Sequence, residues 1–186
     1  MTQVAEGNYS EHLLRTLASV PPVQTILEIG SGWHTRALAQ LGFDFYSIEP
    51  DADRFERTRD QLATLLPAES IEKRLMLGSY LNLPYTSEAF DWVVAYRSTE
   101  QLPTLRDVKQ MFAEAWRVMK WGAWIYVAVP YASEHSKGLS FSEEELRHEL
   151  EEVGFVVAER MAQEKGRDQM PLLRTIYRKV NEQTPL

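Results

Sequence analysis

Apolar and polar positions follow two different periods along the chain, and the alternation of these periods predicts strands and helices. Short apolar runs are typical of strands that are buried in a parallel sheet. Between them, apolar residues recur every three or four positions, which is typical of helices packed on a sheet. Together these patterns predict an α/β fold. Strand patterns cover 26–29, 43–48, 75–77, 90–95, 124–129, 155–159 and 172–179.

Several predicted helices have recognisable ends. Ser10 can cap a helix that carries three leucines on one face and stops before Pro21. Ser142 and Glu145 have the spacing of a capping box, and Gly154 would close that helix. Further helices are predicted over 51–66, where alternating charges indicate a solvent-exposed face, and over 104–119, with Gly122 as the left-handed residue after it.

The segment from Thr25 to Pro50 predicts one βαβ unit with a nucleoside pocket at its mouth. A strand ends at Gly30-Ser31-Gly32, where glycines allow the backbone to approach a ligand closely. The helix that follows directs its first amides towards a negative group. Glu49, about twenty residues further on, can accept hydrogen bonds from both hydroxyls of a ribose.

The spacing within this unit separates two classes of nucleoside cofactor. A dinucleotide fingerprint requires a third glycine at position 35, where this chain has Thr35, so a nicotinamide reductase is disfavoured. Glu28-x-Gly30-x-Gly32 resembles motif I of the class I S-adenosylmethionine-dependent methyltransferases, written [DE]-x-G-x-G-x-G. His34 stands where that family has its third glycine.

Further segments resemble the same family in order, over residues 24–180. The segment 78–85 resembles G-D-A-x-x-L-P-[FY], with Ser79 at the aspartate position that accepts the adenine amino group. Residues 90–95 resemble the strand S-F-D-x-V, and 141–155 resembles F-[ST]-x-E-E-L-x-x-x-L-x-x-A-G-F. In the R-[VL]-L-K-P-G-G turn, Trp121 replaces the proline.

The resemblance implies a Rossmann-like, doubly wound sheet of seven strands in the order 3-2-1-4-5-7-6, with strand 7 antiparallel. It implies a single domain over 1–186, in which 1–22 form an N-terminal helix or lid. It also implies S-adenosylmethionine as cofactor, with Glu49 on the ribose and Glu28 orienting either the turn or the cofactor's amino group. The residues expected to bind the cofactor are Glu28, Gly30, Ser31, Gly32, Glu49, Pro50, Ser79, Tyr80 and Tyr96.

The implied reaction is methyl transfer, which needs mainly a nucleophile held close and in line with the sulfonium. A general base is required only when the acceptor holds its proton firmly. Tyr96, Glu100 and His135 follow predicted strands and are the candidates for that role. The four histidines show no metal-ligand spacing with carboxylates, so no metal is expected.

Composition narrows the class of partner. The formal charge of −7 argues against a nucleic acid, and the chain has no apolar run of membrane-spanning length. The absence of cysteine excludes thiol chemistry, and the first residues lack a signal-peptide pattern, so a cytoplasmic location is expected. The loops are short, which predicts an open site for a small-molecule acceptor, closed by the N-terminal helix or by a second subunit of a homodimer. The departures from the family at His34, Ser79 and Trp121 leave one rival: a catalytically inactive module that binds the cofactor or a partner.

Overall fold

A computed structural model describes residues 10–133, 138–166 and 168–181. Its centre is a seven-stranded sheet in the order β3-β2-β1-β4-β5-β7-β6. Strand β7 runs antiparallel to both neighbours, and the other neighbouring pairs are parallel. This arrangement confirms the predicted fold class and strand order. The strands are β1 (Thr25–Ile29), β2 (Asp44–Glu49), β3 (Leu75–Leu77), β4 (Phe90–Tyr96), β5 (Met119–Pro130), β6 (Val156–Lys165) and β7 (Pro171–Arg178).

Helices cover both faces of the sheet, because successive residues of a strand point to opposite sides. In β1, Leu27 packs in the cluster that includes residues of α5 and α6, while Ile26 packs in the cluster that includes residues of α1, α2 and α3. Strand β1 is therefore buried on both faces, and its carboxyl end lies between those of β2 and β4. The helices are α1 (Glu11–Ala18), α2 (Trp33–Gln40), α3 (Ala52–Leu62), α4 (Ala68–Arg74), α5 (Leu105–Val118) and α6 (Glu143–Val153), with a 3₁₀ turn at Ser98–Gln101.

The predicted caps are present. The Ser10 hydroxyl accepts a hydrogen bond from the Leu13 amide at 3.2 Å at the start of α1. Ser142 and Glu145 form a reciprocal capping box at the start of α6. Gly154 ends α6 with φ +112°, and a Cβ there would lie 3.3 Å from the ring of Trp116. Local sequence therefore sets these helix ends, as expected.

Three element predictions were wrong. Helix α3 ends at Leu62, and α4 follows where no helix was predicted. Helix α5 passes directly into β5, so Gly122, at φ +85°, lies within that strand and does not end the helix. Strand β6 continues to Lys165, because an edge strand is held by backbone pairing with β7 and needs no apolar period.

Among the described residues, no helix combines the length and apolar character that crossing a bilayer requires.

Candidate functional site

The glycine turn lies at the carboxyl end of β1. Gly30 and Gly32 have φ values of +113° and +144°, which side-chain-bearing residues rarely adopt. The Gly30 amide donates to the Ile48 carbonyl at 2.9 Å, which ties the turn to β2. A Cβ at Gly30 would lie 3.2 Å from the Tyr80 hydroxyl, whereas a Cβ at Gly32 would meet open space. The turn therefore needs glycine for its conformation and leaves room in front of Gly32.

A cavity of about 440 Å³ opens in front of this turn, at the carboxyl ends of β1 and β4. This is the edge at which open α/β sheets bind ligands. Glu49, Pro50 and Ser79 lie outside its lining: Glu49 is fully buried, and the other two are exposed. The predicted site residues that line the cavity are Glu28, Gly30, Ser31, Gly32, Tyr80, Tyr96 and Glu100.

Glu49 joins the end of β2 to the glycine turn. Its Oε2 accepts hydrogen bonds from the main-chain N–H of Ser31 at 3.0 Å and from the Ser31 hydroxyl at 3.1 Å. Its Oε1 accepts from the main-chain N–H of Asp51 at 3.0 Å. The carboxylate, expected to hold a ribose, is thus engaged by donors of the chain itself, and its role towards a cofactor remains a prediction.

Glu28 lies beneath the same turn and is buried. It accepts hydrogen bonds from the Thr35 hydroxyl at 2.5 Å and from the Ser47 hydroxyl at 2.6 Å. Burial raises the pKa of Glu28 to about 7, the two hydroxyls oppose that shift, and the nearby charge of Glu49 adds to it. Thr35 in turn accepts from the Gly32 amide at 2.9 Å. Glu28 is therefore linked to the turn through Thr35, and which of its two expected roles it has remains a prediction.

His34 connects the turn to α1. Its Nε2 accepts a hydrogen bond from the main-chain N–H of Ser10 at 2.9 Å. Its ring lies edge-on to Tyr96, with 4.5 Å between the ring centroids. Burial lowers the pKa of His34 to about 4, so the ring is neutral near pH 7 and its proton is on Nδ1. The side chain that replaces the family's third glycine thus anchors the N-terminal helix.

The Tyr80 hydroxyl is completely buried and has no hydrogen-bond partner among the described residues. It lies beside Gly30 and lines the cavity. Burial raises its pKa far above the ordinary value, the charge of Glu49 adds to this, and Arg54 opposes it. A buried hydroxyl without a partner destabilises the folded chain, and a hydrogen bond from Tyr80 to a ligand in the cavity remains a prediction.

The three candidate bases have different surroundings. The Tyr96 phenol keeps its proton near neutral pH, because burial and the charge of Glu164 raise its pKa to about 12. Glu100 accepts hydrogen bonds from Arg97 at 2.5 and 3.0 Å. Arg97 also donates to Asp168 at 2.8 Å, which joins the end of β4 to the β6–β7 connection. His135 lies outside the described residues. The assignment of a base remains a prediction.

Sequence reasoning missed the wall of the cavity that α3 provides. Arg54, Arg57 and Gln61 line the cavity, although the charge pattern indicated a solvent-exposed face. When the amide of Gln101 is oriented with its oxygen towards Arg54, that oxygen accepts from the two terminal nitrogens of Arg54 at 2.8 and 2.9 Å. The spacing of three and four residues, which places these side chains on one helix face, was the available signal.

A second group of polar side chains lies away from the cavity, on α6. His148, Glu149 and Glu152 bring possible metal-ligand atoms within 4.8 Å of one another, a proximity that the sequence analysis did not anticipate. The Lys109 ammonium lies 2.8 Å from a Glu152 oxygen and 3.7 Å from a Glu149 oxygen. Lysine therefore supplies the positive charge in this cluster.

The residues around the turn fit an adenosyl cofactor with one rearrangement. The open space before Gly32 and the unpartnered hydroxyl of Tyr80 suit a ligand laid across the turn. Glu49 ends β2 beside the turn, but it is fully buried and the Ser31 hydroxyl is bound to it. Because Glu49 is buried, a sugar requires the Ser31 hydroxyl to turn away, and the main-chain donors would still hold the carboxylate.

Comparisons with known proteins agree with this fold. The family model described as "Methyltransferase domain" matches residues 27–127, more than half of the chain. No curated protein matches the chain in sequence.

Three solved structures illustrate the likeness in fold. A Methanosarcina mazei protein described as an S-adenosylmethionine-dependent methyltransferase has a TM-score of 0.72 and 15% identity, covering 94% of this chain and 100% of its own. A methyltransferase in complex with the Haloferax volcanii Trm112 methyltransferase activator has a TM-score of 0.69 and 16% identity, covering 93% and 90%. The [4+2]-cyclase SpnF has a TM-score of 0.69 and 15% identity, covering 91% and 80%.

The family match, the strand order and the glycine turn agree with one another. The chain belongs to the class I methyltransferase family, whose cofactor is S-adenosylmethionine.

Proposed function

We propose that this protein transfers a methyl group from S-adenosylmethionine to a small-molecule acceptor. The observation that carries the proposal is the cavity, which brings Gly30, Gly32, Tyr80 and Tyr96 together at the carboxyl ends of β1 and β4. In the proposed complex the glycine turn holds the methionine and sugar portions, Glu49 accepts from the ribose, and Tyr80 donates its free hydroxyl. The lining of the cavity does not include Pro50 and Ser79, and their contact with adenine is part of the proposal.

The cofactor supplies an activated methyl group on a sulfonium, and the chain has to position the acceptor in line with it. Tyr96 lies between the cavity and α1, so it is placed to orient an acceptor. Its protonated phenol suits it to donating a hydrogen bond rather than removing a proton. Glu100, bound to Arg97, is better suited to holding the 3₁₀ turn than to acting as a base. An acceptor that needs no base, such as a neutral amine, is consistent with these surroundings.

A small acceptor is supported by the volume of the site and by the charge of the chain. The cavity of about 440 Å³ suits a cofactor and a small molecule. The formal charge of −7 disfavours a polyanionic substrate. Helix α1, held by the hydrogen bond from Ser10 to His34, is the proposed lid within a single domain. The homodimer and the cytoplasmic location remain predictions.

The test is a titration of the purified chain with S-adenosylmethionine by calorimetry, followed by a screen of small metabolites for formation of S-adenosylhomocysteine. Saturable binding and product formation with one acceptor class are expected. Failure to bind the cofactor at millimolar concentration would contradict the proposal. A parallel titration with NADH is expected to show no binding.

The rival function is a methyltransferase-like module without methyl transfer. The observation that favours it is the engagement of Glu49 by Ser31 and Asp51, which leaves the sugar acceptor covered. SpnF, a cyclase of similar fold, illustrates that this architecture also serves other chemistry. Binding of S-adenosylmethionine without turnover, with or without an added activator protein, would favour this rival.

A further inference from the structure

The Ser31 hydroxyl donates to Glu49, the carboxylate that is proposed to bind the ribose. We propose that Ser31 competes with the cofactor's ribose for Glu49 and that Thr58 is the alternative partner of Ser31. This inference rests on the proposed function, because it assumes that Glu49 binds a ribose. It assigns to Ser31 and Thr58 a joint role in setting the affinity of the site for nucleosides.

One oxygen of the Glu49 carboxylate has both of its acceptor positions filled. Oε2 of Glu49 receives two donors, the amide and the hydroxyl of Ser31, at 3.0 and 3.1 Å. Oε1 receives one, the amide of Asp51 at 3.0 Å. A carboxylate offers about four acceptor positions, and a ribose diol uses one on each oxygen. The second sugar hydroxyl therefore requires the position that the Ser31 hydroxyl now fills.

Thr58 offers the Ser31 hydroxyl an alternative hydrogen-bond partner. Its Oγ lies 2.9 Å from Oγ1 of Thr58, and either oxygen can be the donor. Thr58 is buried, with 1% of its surface exposed, and it lies on α3 facing the cavity. When a sugar binds Glu49, Ser31 can donate to Thr58 and keep one hydrogen bond. The cost of releasing Glu49 is thereby reduced.

The conformation of the glycine turn does not depend on the Ser31 hydroxyl. The amides of Ser31 and Asp51 still hold the Glu49 carboxylate when the hydroxyl is removed. Ser31 does not have a positive φ, so alanine is compatible with its backbone. Replacement by alanine should therefore remove the competitor and leave the turn intact.

The experiment is a double-mutant cycle, with S-adenosylhomocysteine as the probe and calorimetry as the measurement. Ser31→Ala is expected to bind the probe about threefold to tenfold more tightly than the unchanged chain, since one competing hydrogen bond is lost. Thr58→Val is expected to bind it about threefold more weakly, because Ser31 then has no alternative partner. Ser31→Ala with Thr58→Val is expected to bind as Ser31→Ala alone. Thr64→Val, an exposed change close to the end of the same helix, is the matched control and should not alter affinity.

Thermal unfolding of each variant establishes that it is folded. If the unchanged chain binds the probe and Ser31→Ala binds it equally or more weakly, Ser31 is not a competitor. The proposed function would still stand. An effect of Thr58→Val that persists in the Ser31→Ala background would overturn the role of Thr58 as partner. Absence of binding in all variants would overturn the proposed function together with this inference.

Discussion

The main-chain N–H of Ser10 donates a hydrogen bond to Nε2 of His34 at 2.9 Å, across 24 residues of sequence. Ser10 is also the N-cap of α1, so a single residue both starts that helix and attaches it beside the glycine turn. A protonated His34 has no lone pair at Nε2 and could not accept this bond. This hydrogen bond therefore depends on a neutral ring, which burial maintains.

Replacement of His34 by alanine should loosen α1. The Ser10 amide loses its acceptor and the ring no longer packs on Tyr96, so we expect a loss of about 1–3 kcal/mol in the free energy of unfolding. Hydrogen exchange should show at least about tenfold faster exchange of the α1 amides. His148→Ala, at an exposed position on α6, should leave exchange unchanged. Equal protection of α1 in both variants would show that its attachment does not depend on His34.

Glu28 and His34 should give opposite dependences of stability on pH. The pKa of Glu28 is raised from 4.5 to about 7 in the fold, so the folded chain binds more protons and stability falls as pH rises through this window. The pKa of His34 is lowered from 6.5 to about 4, so the unfolded chain binds more protons and stability falls as pH drops through that window. Between pH 4.5 and 6.5 the two effects oppose each other.

Substitutions at these two residues should reveal the separate effects. Glu28→Gln should become less stable as pH is lowered from 6.5 to 4.5, because the Glu28 effect no longer opposes that of His34. His34→Gln should become less stable as pH is raised from 4.5 to 7. In each variant the free energy of unfolding should change by up to about 3 kcal/mol over its pH range. Urea unfolding at several pH values measures both. Identical pH profiles for the two variants would contradict these assignments.

The caps could be predicted because they depend on local signals, whereas the strand order was implied by the resemblance of several motifs to one family. The glycine pattern predicts a tight turn after a strand, and the capping box formed by Ser142 and Glu145 predicts the start of a helix. Strand β6 was predicted too short because its second half mixes charged and apolar side chains without a regular period and is held by pairing with β7. Such pairing is not encoded in a local period.

The site was harder to predict because it depends on contacts between distant residues. The sequence predicted that Glu49 lies near the turn. It did not predict that the Ser31 amide and hydroxyl would engage the Glu49 carboxylate. It identified His34 as a departure, but not its hydrogen bond to Ser10. Arg54 belonged to a charge run that is typical of solvent exposure, and only the packing of α3 brings it to the cavity. Side-chain direction across the fold was the missing information.

Glu49→Gln should weaken the binding of S-adenosylmethionine by about 2–4 kcal/mol, because charge-assisted hydrogen bonds to the ribose are lost. Glutamine should also lower stability: the amides of Ser31 and Asp51 donate to different oxygens of Glu49, so one of them would face the side-chain NH2 and lose its acceptor. Calorimetry gives the affinity and urea unfolding gives the stability. Asp53→Asn, an exposed carboxylate on α3, is the control for affinity and should not change it. Lower stability with unchanged affinity would make Glu49 a purely structural acid.

Tyr80→Phe should separate stability from binding, because no residue in the described part of the chain hydrogen-bonds the Tyr80 hydroxyl. Removing an unsatisfied buried hydroxyl should leave the free energy of unfolding unchanged or raise it by up to about 1 kcal/mol. The same change should weaken S-adenosylmethionine binding about tenfold, since the ligand loses a donor beside Gly30. Tyr85→Phe, outside the cavity, should not affect affinity. Unchanged affinity in Tyr80→Phe would exclude the hydroxyl from ligand binding, and a clear loss of stability would mean that it has a partner within the fold.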